Sequence, residues 1–209
     1  MSELKCSTAE APNQLDTKFW DQLWKTKDTG WDLKQVSPPL QLYFDAMTCK
    51  NKSILIPGCG NAYEAEYLLN NGFKNITIID ISPTLCNQLI KKNKKFAGKQ
   101  LTIICGDFFK HTGQYDFIIE QTFFCALEKT RRQEYVEKMK TLLKPTGILA
   151  GLLFNKEFEK SPPFGGSSKE YKKLFASYFE ILQLKTAKNS IAPRAGTELF
   201  FEMKNNTVK

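Results

Sequence analysis

The sequence predicts an α/β fold: a doubly wound, mostly parallel seven-stranded sheet with helices on both faces and an antiparallel strand pair at its C-terminal end. Three observations support this prediction. Five short, apolar runs alternate with helical patterns, as in parallel sheets whose two faces are both covered. The first run leads into a glycine-containing turn. After residue 154 the pattern changes, and two later segments alternate between apolar and polar residues.

Each element follows from local patterns. Apolar runs predict parallel strands over residues 53–56, 75–80, 101–105, 117–119 and 148–154. Apolar spacings of three and four, with Pro, Ser or Gly at the ends, predict helices that begin at Asp16 and Pro38 and helices over 63–70, 82–96, 131–143 and 169–179. Lys144–Gly147 is expected to form the loop before the fifth strand. Residues 180–185 and 198–203 are expected to form the antiparallel pair.

Composition indicates an ordinary globular protein, with 209 residues of which 42% are hydrophobic and 25% charged. We expect residues 1–15 to be disordered and residues 16–209 to form one domain, whose first part, 16–48, is a helical lid. Six cysteines without C-x-x-C spacing, behind a start that lacks a leader pattern, predict reduced, buried thiols and a cytoplasmic location. No metal site is expected, since His and Cys lack ligand spacing. No stretch is long enough for a membrane span.

The first candidate site is the turn after the first strand, Pro57-Gly58-Cys59-Gly60. Glycines there allow a ligand to lie against the backbone, although the third Gly of a dinucleotide-binding turn is missing. Asp80 ends the second strand, 22 residues after Gly58, near the roughly 20 expected for an acid that accepts hydrogen bonds from ribose hydroxyls. The alternative role for Asp80 is a cap on the helix that follows.

The second candidate site follows the third strand, at Gly106-Asp107-Phe108. In an open α/β sheet these residues lie at the same edge as Gly58 and Asp80. Asp107 can accept a hydrogen bond from an adenine amino group, and Phe108 can contribute its backbone N–H or its ring. The alternative is a helix N-cap followed by core aromatics, and the sequence does not decide between the two.

All three tryptophans, Trp20, Trp24 and Trp31, fall within one N-terminal stretch. They either anchor a helix to the sheet or form an aromatic lid over a cationic ligand, since indole rings attract cations by about 0.5–2 kcal/mol. A nucleoside offers hydroxyl and amino donors to the two acids, and a positive centre suits the tryptophans. The incomplete glycine turn favours a ligand without a phosphate. S-adenosyl-L-methionine has these properties.

Several motifs resemble the thiopurine S-methyltransferase-like family of class I methyltransferases. They are Phe19–Trp24, Ile56–Ala62, Ile79–Ser82, Gly106–Phe109, Tyr115–Glu120, Phe123–Glu128 and Leu142–Pro145. The run Phe123–Glu128, together with Pro162–Phe164 and Ile191–Arg194, is most similar to the plant halide, thiocyanate and thiol methyltransferases. The resemblance covers the chain from about Thr17 to its C-terminus.

The resemblance implies that cofactor contacts fall on Trp20, Trp24, Trp31, Gly58, Asp80, Asp107, Phe108 and Gln121. Gln121 occupies a position where family members differ. It also implies a substrate pocket that includes Phe154, where the plant branch tends to have Tyr. Arg194 is expected either to attract and orient an anionic substrate or to be a surface charge of a loop. No catalytic residue is assigned, because the family has no shared general base.

The function expected is S-adenosylmethionine-dependent methyl transfer to a small-molecule substrate with a soft nucleophile: a thiol, thiocyanate, bisulfide or halide. Alternatives are a thiopurine-like heterocyclic thiol as acceptor, a nicotinamide-dependent oxidoreductase and a nucleic-acid methyltransferase. The net charge of +8 permits nucleic-acid binding, but its main cluster, Lys91–Lys95, is interpreted as a solvated helix face. We therefore expect no specific nucleic acid, no membrane and a monomer.

Overall fold

The computed structural model describes residues 15–206. The expected disorder of residues 1–15 therefore falls, apart from Leu15, outside the described residues. Within them, seven strands form one sheet in the order β3-β2-β1-β4-β5-β7-β6. The strands are β1 (Ser53–Pro57), β2 (Asn75–Asp80), β3 (Leu101–Cys105), β4 (Tyr115–Gln121), β5 (Leu143–Phe154), β6 (Phe179–Thr186) and β7 (Glu198–Asn205).

Strands β1 to β5 are mutually parallel, and β7 pairs antiparallel with both β5 and β6. This confirms the predicted fold class. The helices are α1 (Thr17–Thr26), α2 (Pro38–Asp45), α3 (Tyr63–Asn70), α4 (Pro83–Lys92), α5 (Arg132–Leu142) and α6 (Ser168–Phe175). No helix among residues 15–206 has both the length and the apolar character needed to cross a bilayer.

Short polar side chains fix where several helices begin. Asp16 accepts a hydrogen bond from the backbone N–H of Phe19 at the start of α1, at 2.9 Å. Ser82 accepts one from Leu85 at the start of α4, where Pro83 removes an N–H that would have no partner in the helix. Ser167 caps α6 in the same way.

The sheet separates two apolar cores, one on each face. Strand β1 shows how its sequence supplies both: Leu55 packs into one core while Ile54 and Ile56 pack into the other, as side chains alternate along a strand. The three side chains are all at most 1% exposed. Because both faces of the parallel part of the sheet are covered, its strands need apolar residues on both faces. Their sequences are therefore continuously apolar rather than alternating.

Three predicted boundaries are wrong by more than two residues. Strand β5 begins at Leu143, because the expected loop at residues 144–147 forms an irregularity within the strand, where Thr146 has a φ of 62°. Helix α6 ends at Phe175, and Phe179, which was assigned to it, is the buried first residue of β6. Helix α4 ends at Lys92, before residue 96.

The expectation of buried thiols holds for only some of the cysteines. Cys59, Cys86 and Cys125 are buried, and burial raises the pKa of each thiol, which keeps it protonated. Cys49 and Cys105 are exposed, so the prediction is wrong for these two. The five described cysteines are all free thiols, and the sixth, at position 6, lies outside the described residues.

Gly151 offers a test of how closely β4 and β5 approach each other. It pairs with Glu120 across the two strands, and a Cβ added there would lie 2.5 Å from Cβ of Glu120. Gly151→Ala should lower the free energy of unfolding, measured by urea denaturation, by about 1–3 kcal/mol. Gly30→Ala is the matched control, because an added Cβ meets nothing within 4 Å. Equal effects of the two substitutions would contradict the close approach.

Candidate active site

A cavity of about 630 Å³ opens at the edge of the sheet where the parallel strands end. Its size lies in the range of small-molecule sites, about 300–1,000 Å³. The ten residues predicted as cofactor or substrate contacts all line it: Trp20, Trp24, Trp31, Gly58, Asp80, Asp107, Phe108, Gln121, Phe154 and Arg194. The structure thus brings the predicted residues together, while the role of each toward a ligand stays a prediction.

Asp80 closes the turn at the end of β1. Its Oδ2 accepts a hydrogen bond from Gly60 N at 3.3 Å, and its Oδ1 accepts one from Ser82 N at 3.0 Å. The second bond holds the N–H of Ser82, which is itself the N-cap of α4, so Asp80 supports the start of the following helix without capping it and also faces the cavity. Burial raises the pKa of Asp80 to about 6, although these backbone hydrogen bonds oppose the shift.

The glycine turn needs glycine for two separate reasons. Gly58 and Gly60 have φ values of +55° and +50°, in the left-handed region that favours glycine. A Cβ added at Gly58 would also lie 2.7 Å from Cγ of Phe123, which packs over the turn from the segment after β4. The backbone of the turn after β1 and the ring of Phe123 therefore form one continuous part of the cavity wall.

Asp107 and Phe108 combine the two roles that the sequence left open. Asp107 Oδ1 accepts a hydrogen bond from Phe109 N at 2.9 Å and caps a 3-10 turn over residues 108–110. Phe108 is a core aromatic, with its ring centroid 5.1 Å from that of Phe123. Both residues also line the cavity. Asp107 Oδ2 makes no hydrogen bond to another residue in 15–206, which leaves it available to a ligand donor.

The three tryptophans pack against one another at the cavity wall. Trp31 meets Trp20 and Trp24 edge to face, with centroid distances of 5.7 Å and 5.9 Å. The geometry is favourable for aromatic pairs and also leaves indole surface facing the cavity. The anchoring role and the lid role that the sequence offered are therefore both compatible with this arrangement.

Asp21 holds helix α1 in place, and the sequence reasoning missed it. Its carboxylate accepts hydrogen bonds from Ser82 Oγ at 2.7 Å and Thr84 N at 2.8 Å, at the start of α4, and pairs with Lys25. Burial alone would raise the pKa of Asp21, but these partners outweigh it and hold the pKa well below its usual range. The only signal was its position between Trp20 and Trp24.

Arg194 is a buried group rather than a charge on a surface loop. It is 9% exposed and donates hydrogen bonds to Glu198 Oε1 at 3.2 Å and to the carbonyl oxygen of Trp31 at 3.0 Å. The ion pair with Glu198 largely neutralises its charge. These two bonds leave three of its five N–H donors without a partner among residues 15–206.

Two further polar contacts fix the segment after Trp31. Asp32 Oδ2 accepts a hydrogen bond from Asn61 Nδ2 at 2.9 Å, which ties the segment to the glycine turn. Glu64 Oε1 accepts one from Ser37 N at 3.1 Å. Burial raises the pKa of Glu64 against the opposing effect of the Ser37 bond. None of these four polar residues was predicted, because each one is paired with a partner far away in sequence.

One end of the cavity is apolar and carries a single free cation among the described residues. Phe154 and Phe158 pack edge to face at 4.9 Å, with Pro162 and Pro163 in the same wall. The Nζ of Lys156 lies 4.6 Å from the Phe158 ring centroid and has no carboxylate partner within residues 15–206. The other cations of the wall are both paired, Arg194 with Glu198 and Arg131 with Glu134.

The residues at the other end fit a nucleoside with a sulfonium centre. Gln121 Oε1 is buried in the wall and has no hydrogen-bond partner among residues 15–206. Asp80 and Asp107 offer acceptors of the kind that ribose hydroxyls and an amino group need. Tryptophan rings offer surface suited to a cation. Among residues 15–206 the wall has three basic side chains, of which Arg131 and Arg194 are paired with carboxylates, which does not suit a pyrophosphate.

Comparison with known proteins agrees with this reading of the cavity. A family model described as thiopurine S-methyltransferase matches residues 15–207. Probable thiol methyltransferase 2 of Arabidopsis thaliana is 30% identical over 184 residues, which cover 86% of this chain and 81% of that protein. Thiocyanate methyltransferase 1 of Brassica oleracea is 24% identical over 192 residues, which cover 90% and 84%.

A solved structure supports the fold. The 1,6-didemethyltoxoflavin-N1-methyltransferase of Burkholderia thailandensis, crystallised with its substrate and S-adenosylhomocysteine, has a TM-score of 0.70 at 14% identity. The match covers 95% of this chain and 94% of that one. The chain belongs to the thiopurine S-methyltransferase family. The predicted family resemblance, the methyltransferase activity and the cofactor S-adenosyl-L-methionine are thereby confirmed.

Asp80 gives a pH dependence with opposite signs for ligand binding and for stability. Because its pKa is raised to about 6, the carboxyl favours the folded chain most when protonated, and this contribution is lost as pH rises from about 4 to 6. Ribose hydroxyls, in contrast, donate to the ionised form. The affinity for S-adenosylhomocysteine, measured by titration calorimetry, should therefore fall as pH drops through about 6.

Asp80→Asn should remove this pH dependence and cost about 1.5–3 kcal/mol of affinity, as the loss of hydrogen bonds to a charged group does. The control is Asp45→Asn at an exposed residue outside the cavity, which should bind as the native chain does. A lower melting temperature of the Asp80 variant with unchanged affinity would show that Asp80 only supports the start of α4.

Proposed function

We propose that the enzyme transfers a methyl group to a small, soft anion: a thiolate, bisulfide, thiocyanate or iodide. The observation that carries this proposal is the cavity end formed by Phe154, Phe158, Pro162 and Pro163 around Lys156. An apolar wall removes water cheaply from a large, weakly hydrated anion and at high cost from a small, hard one. The relatives named as thiol and thiocyanate methyltransferases are consistent with such acceptors.

The proposed reaction needs little acid–base help from the protein. When bound, S-adenosylmethionine supplies a methyl group on a positively charged sulfur. Thiocyanate and iodide carry no proton near neutral pH, and a thiol supplies its thiolate fraction by ionising in water, so the protein needs no strong base. The chain has a single histidine, His111, which hydrogen-bonds to Tyr115 Oη at 2.8 Å outside the cavity. What the protein contributes is position and the exclusion of water.

We assign the predicted contacts to parts of the cofactor as follows. Asp80 accepts hydrogen bonds from the ribose, while Asp107 and Phe108 hold the adenine. The backbone at Gly58 lies against the ligand, and Gln121 Oε1, which has no partner of its own within residues 15–206, accepts from a ligand donor. The indole rings of Trp20, Trp24 and Trp31 face the cationic portion.

Two cations have different roles toward the acceptor in this proposal. Lys156 is exposed at the wall and carries the net charge that attracts an anion. Arg194 is neutralised by Glu198, and it orients the acceptor through its remaining N–H groups rather than by attraction. Phe154 packs against Arg194, with its ring centroid 5.3 Å from the guanidinium carbon.

We further propose that the enzyme acts as a monomer on free small molecules in the cytoplasm, without a specific nucleic acid and without a membrane. The five free cysteines of the described chain suit a reducing compartment. The cavity is a pocket of small-molecule size rather than a basic groove. A thiopurine-like heterocyclic thiol stays the alternative acceptor, as the family name suggests.

A panel of acceptors tests the proposal, with labelled methyl transfer as the measurement. Iodide, thiocyanate and small thiols should react faster than chloride, while amines and catechols should not react. Rates with thiols should rise with pH as more thiolate forms, and the rate with iodide should stay flatter. A heterocyclic thiol as the fastest acceptor would favour the alternative, and faster methylation of an oxygen, protein or RNA acceptor would overturn the proposal.

Lys156→Gln tests the attraction of the anion separately. It should raise the KM for thiocyanate by about two- to fivefold at low salt, and added salt should shrink the difference because exposed charges are screened. Its affinity for S-adenosylhomocysteine should not change. Lys160→Gln, at an exposed residue outside the cavity wall, is the control. An unchanged KM for thiocyanate in the Lys156 variant would contradict the role given to Lys156.

A further inference from the structure

Glu120 is a buried carboxyl group that the reaction described so far does not use. It is the penultimate residue of β4, it is 0% exposed, and no lysine or arginine within residues 15–206 pairs with it. An unpaired buried charge is costly unless hydrogen bonds compensate for it. A neutral side chain would fit a buried strand position at lower cost, so the carboxyl needs an explanation.

The hydrogen bonds of Glu120 go to the segment that follows β4, whose residue Phe123 lines the cavity, and to helix α5 behind it. Its Oε1 accepts from Phe123 N at 2.8 Å and from Phe124 N at 3.0 Å. Its Oε2 accepts from Tyr135 Oη of α5 at 2.8 Å. The carboxylate thus satisfies three donors at once, which suits its ionised, acceptor-only form.

These bonds fix the segment 121–125, which runs along the cavity. Thr122 in this segment has a φ of 59°, a conformation that a β-branched residue rarely adopts and that persists only when its surroundings impose it. The next residue, Phe123, packs its ring over Gly58, and Gln121, which lines the cavity, has a buried side-chain oxygen without a partner among residues 15–206. The position of all three side chains depends on the segment that Glu120 holds.

We propose that Glu120 is a positioning residue for the cofactor: its ionised carboxylate holds segment 121–125 against the glycine turn, and protonation of the carboxylate loosens the segment and weakens cofactor binding. Hydrogen bonds from backbone N–H groups to an anion are stronger than those to a neutral acid. A segment that is ordered for only part of the time lowers the apparent affinity by that fraction.

The groups around Glu120 indicate that its carboxylate gains a proton near neutral pH. Tyr135 contacts it from α5 and Cys125 from the 3-10 turn 124–126, and both hold their protons because burial raises the pKa of each. From β5 the neighbour is Gly151, which cannot titrate. No lysine or arginine of residues 15–206 pairs with Glu120, so burial raises its pKa to about 7, although its three hydrogen bonds oppose the shift.

Glu120→Gln is the decisive variant, because the amide keeps the shape of the neutral acid. Its oxygen can still accept from Phe123 and Phe124, but it never becomes charged. Titration calorimetry with S-adenosylhomocysteine measures binding without requiring turnover. For the native chain, the dissociation constant should rise by about two- to fourfold between pH 8 and pH 6.5. For Glu120→Gln it should be flat over that range and about three- to tenfold weaker than native at pH 8.

Further variants separate this role from a purely structural one. Tyr135→Phe removes a donor to the anion, so it should raise the pKa of Glu120 and move the midpoint of the binding profile to higher pH. This variant also carries the test if Glu120→Gln fails to fold.

Glu137→Gln, at an exposed carboxylate of α5 that accepts a hydrogen bond from Gln133, is the control and should leave the pH profile of binding unchanged. Asp80 titrates lower, near pH 6, and affects all variants equally.

Two results would overturn the proposal. One is native affinity of Glu120→Gln at pH 8, and the other is a pH dependence that persists in this variant above about pH 6.5. An unchanged midpoint in Tyr135→Phe would count against it as well. The measurements use S-adenosylhomocysteine alone, so they do not depend on which acceptor the enzyme methylates.

Discussion

The site depends on one constraint of the sheet. Strands β1 and β4 are parallel neighbours, and the helices that follow them pack on opposite faces of the sheet. In the order β3-β2-β1-β4-β5, the chain moves outward from β1 in one direction as far as β3 and then returns to β4. A crevice forms where the two directions diverge. Because the five strands end at the same edge, residues from each of their following turns meet there, as Gly58, Asp80 and Asp107 do.

Residues at strand ends were predictable from sequence, whereas long-range polar partners were not. Gly58 and Asp80 follow apolar runs, so their place at the ligand edge required only the strands and their direction. Arg194 left two roles open, because its partner Trp31 lies 163 residues away and no local pattern connects them. Glu120 offered a weak signal, an acid directly after the apolar run Phe117–Ile119.

The limits of the fold prediction have a similar cause. Apolar periodicity located every strand and helix, since it records burial directly. It misplaced the start of β5, because Lys144–Gly147 has the composition of a turn and yet keeps pairing with β4 around an irregularity. It also extended α6 to Phe179, whose burial is equally compatible with helix and strand. Tertiary pairing decided both cases, and a single segment does not contain that information.

The hydrogen bond between Arg194 and Trp31 has a consequence for the synthesis of the chain. The segment that carries Trp31 leaves the ribosome early. Arg194, which hydrogen-bonds to the Trp31 carbonyl, is translated 163 positions later, at about 5–20 residues per second. For roughly 10–30 seconds the nascent chain carries its tryptophans without their anchor. β7 also arrives last and covers the open edge of β5. During synthesis, the tryptophans and the edge of β5 therefore stay exposed until β7 has been made.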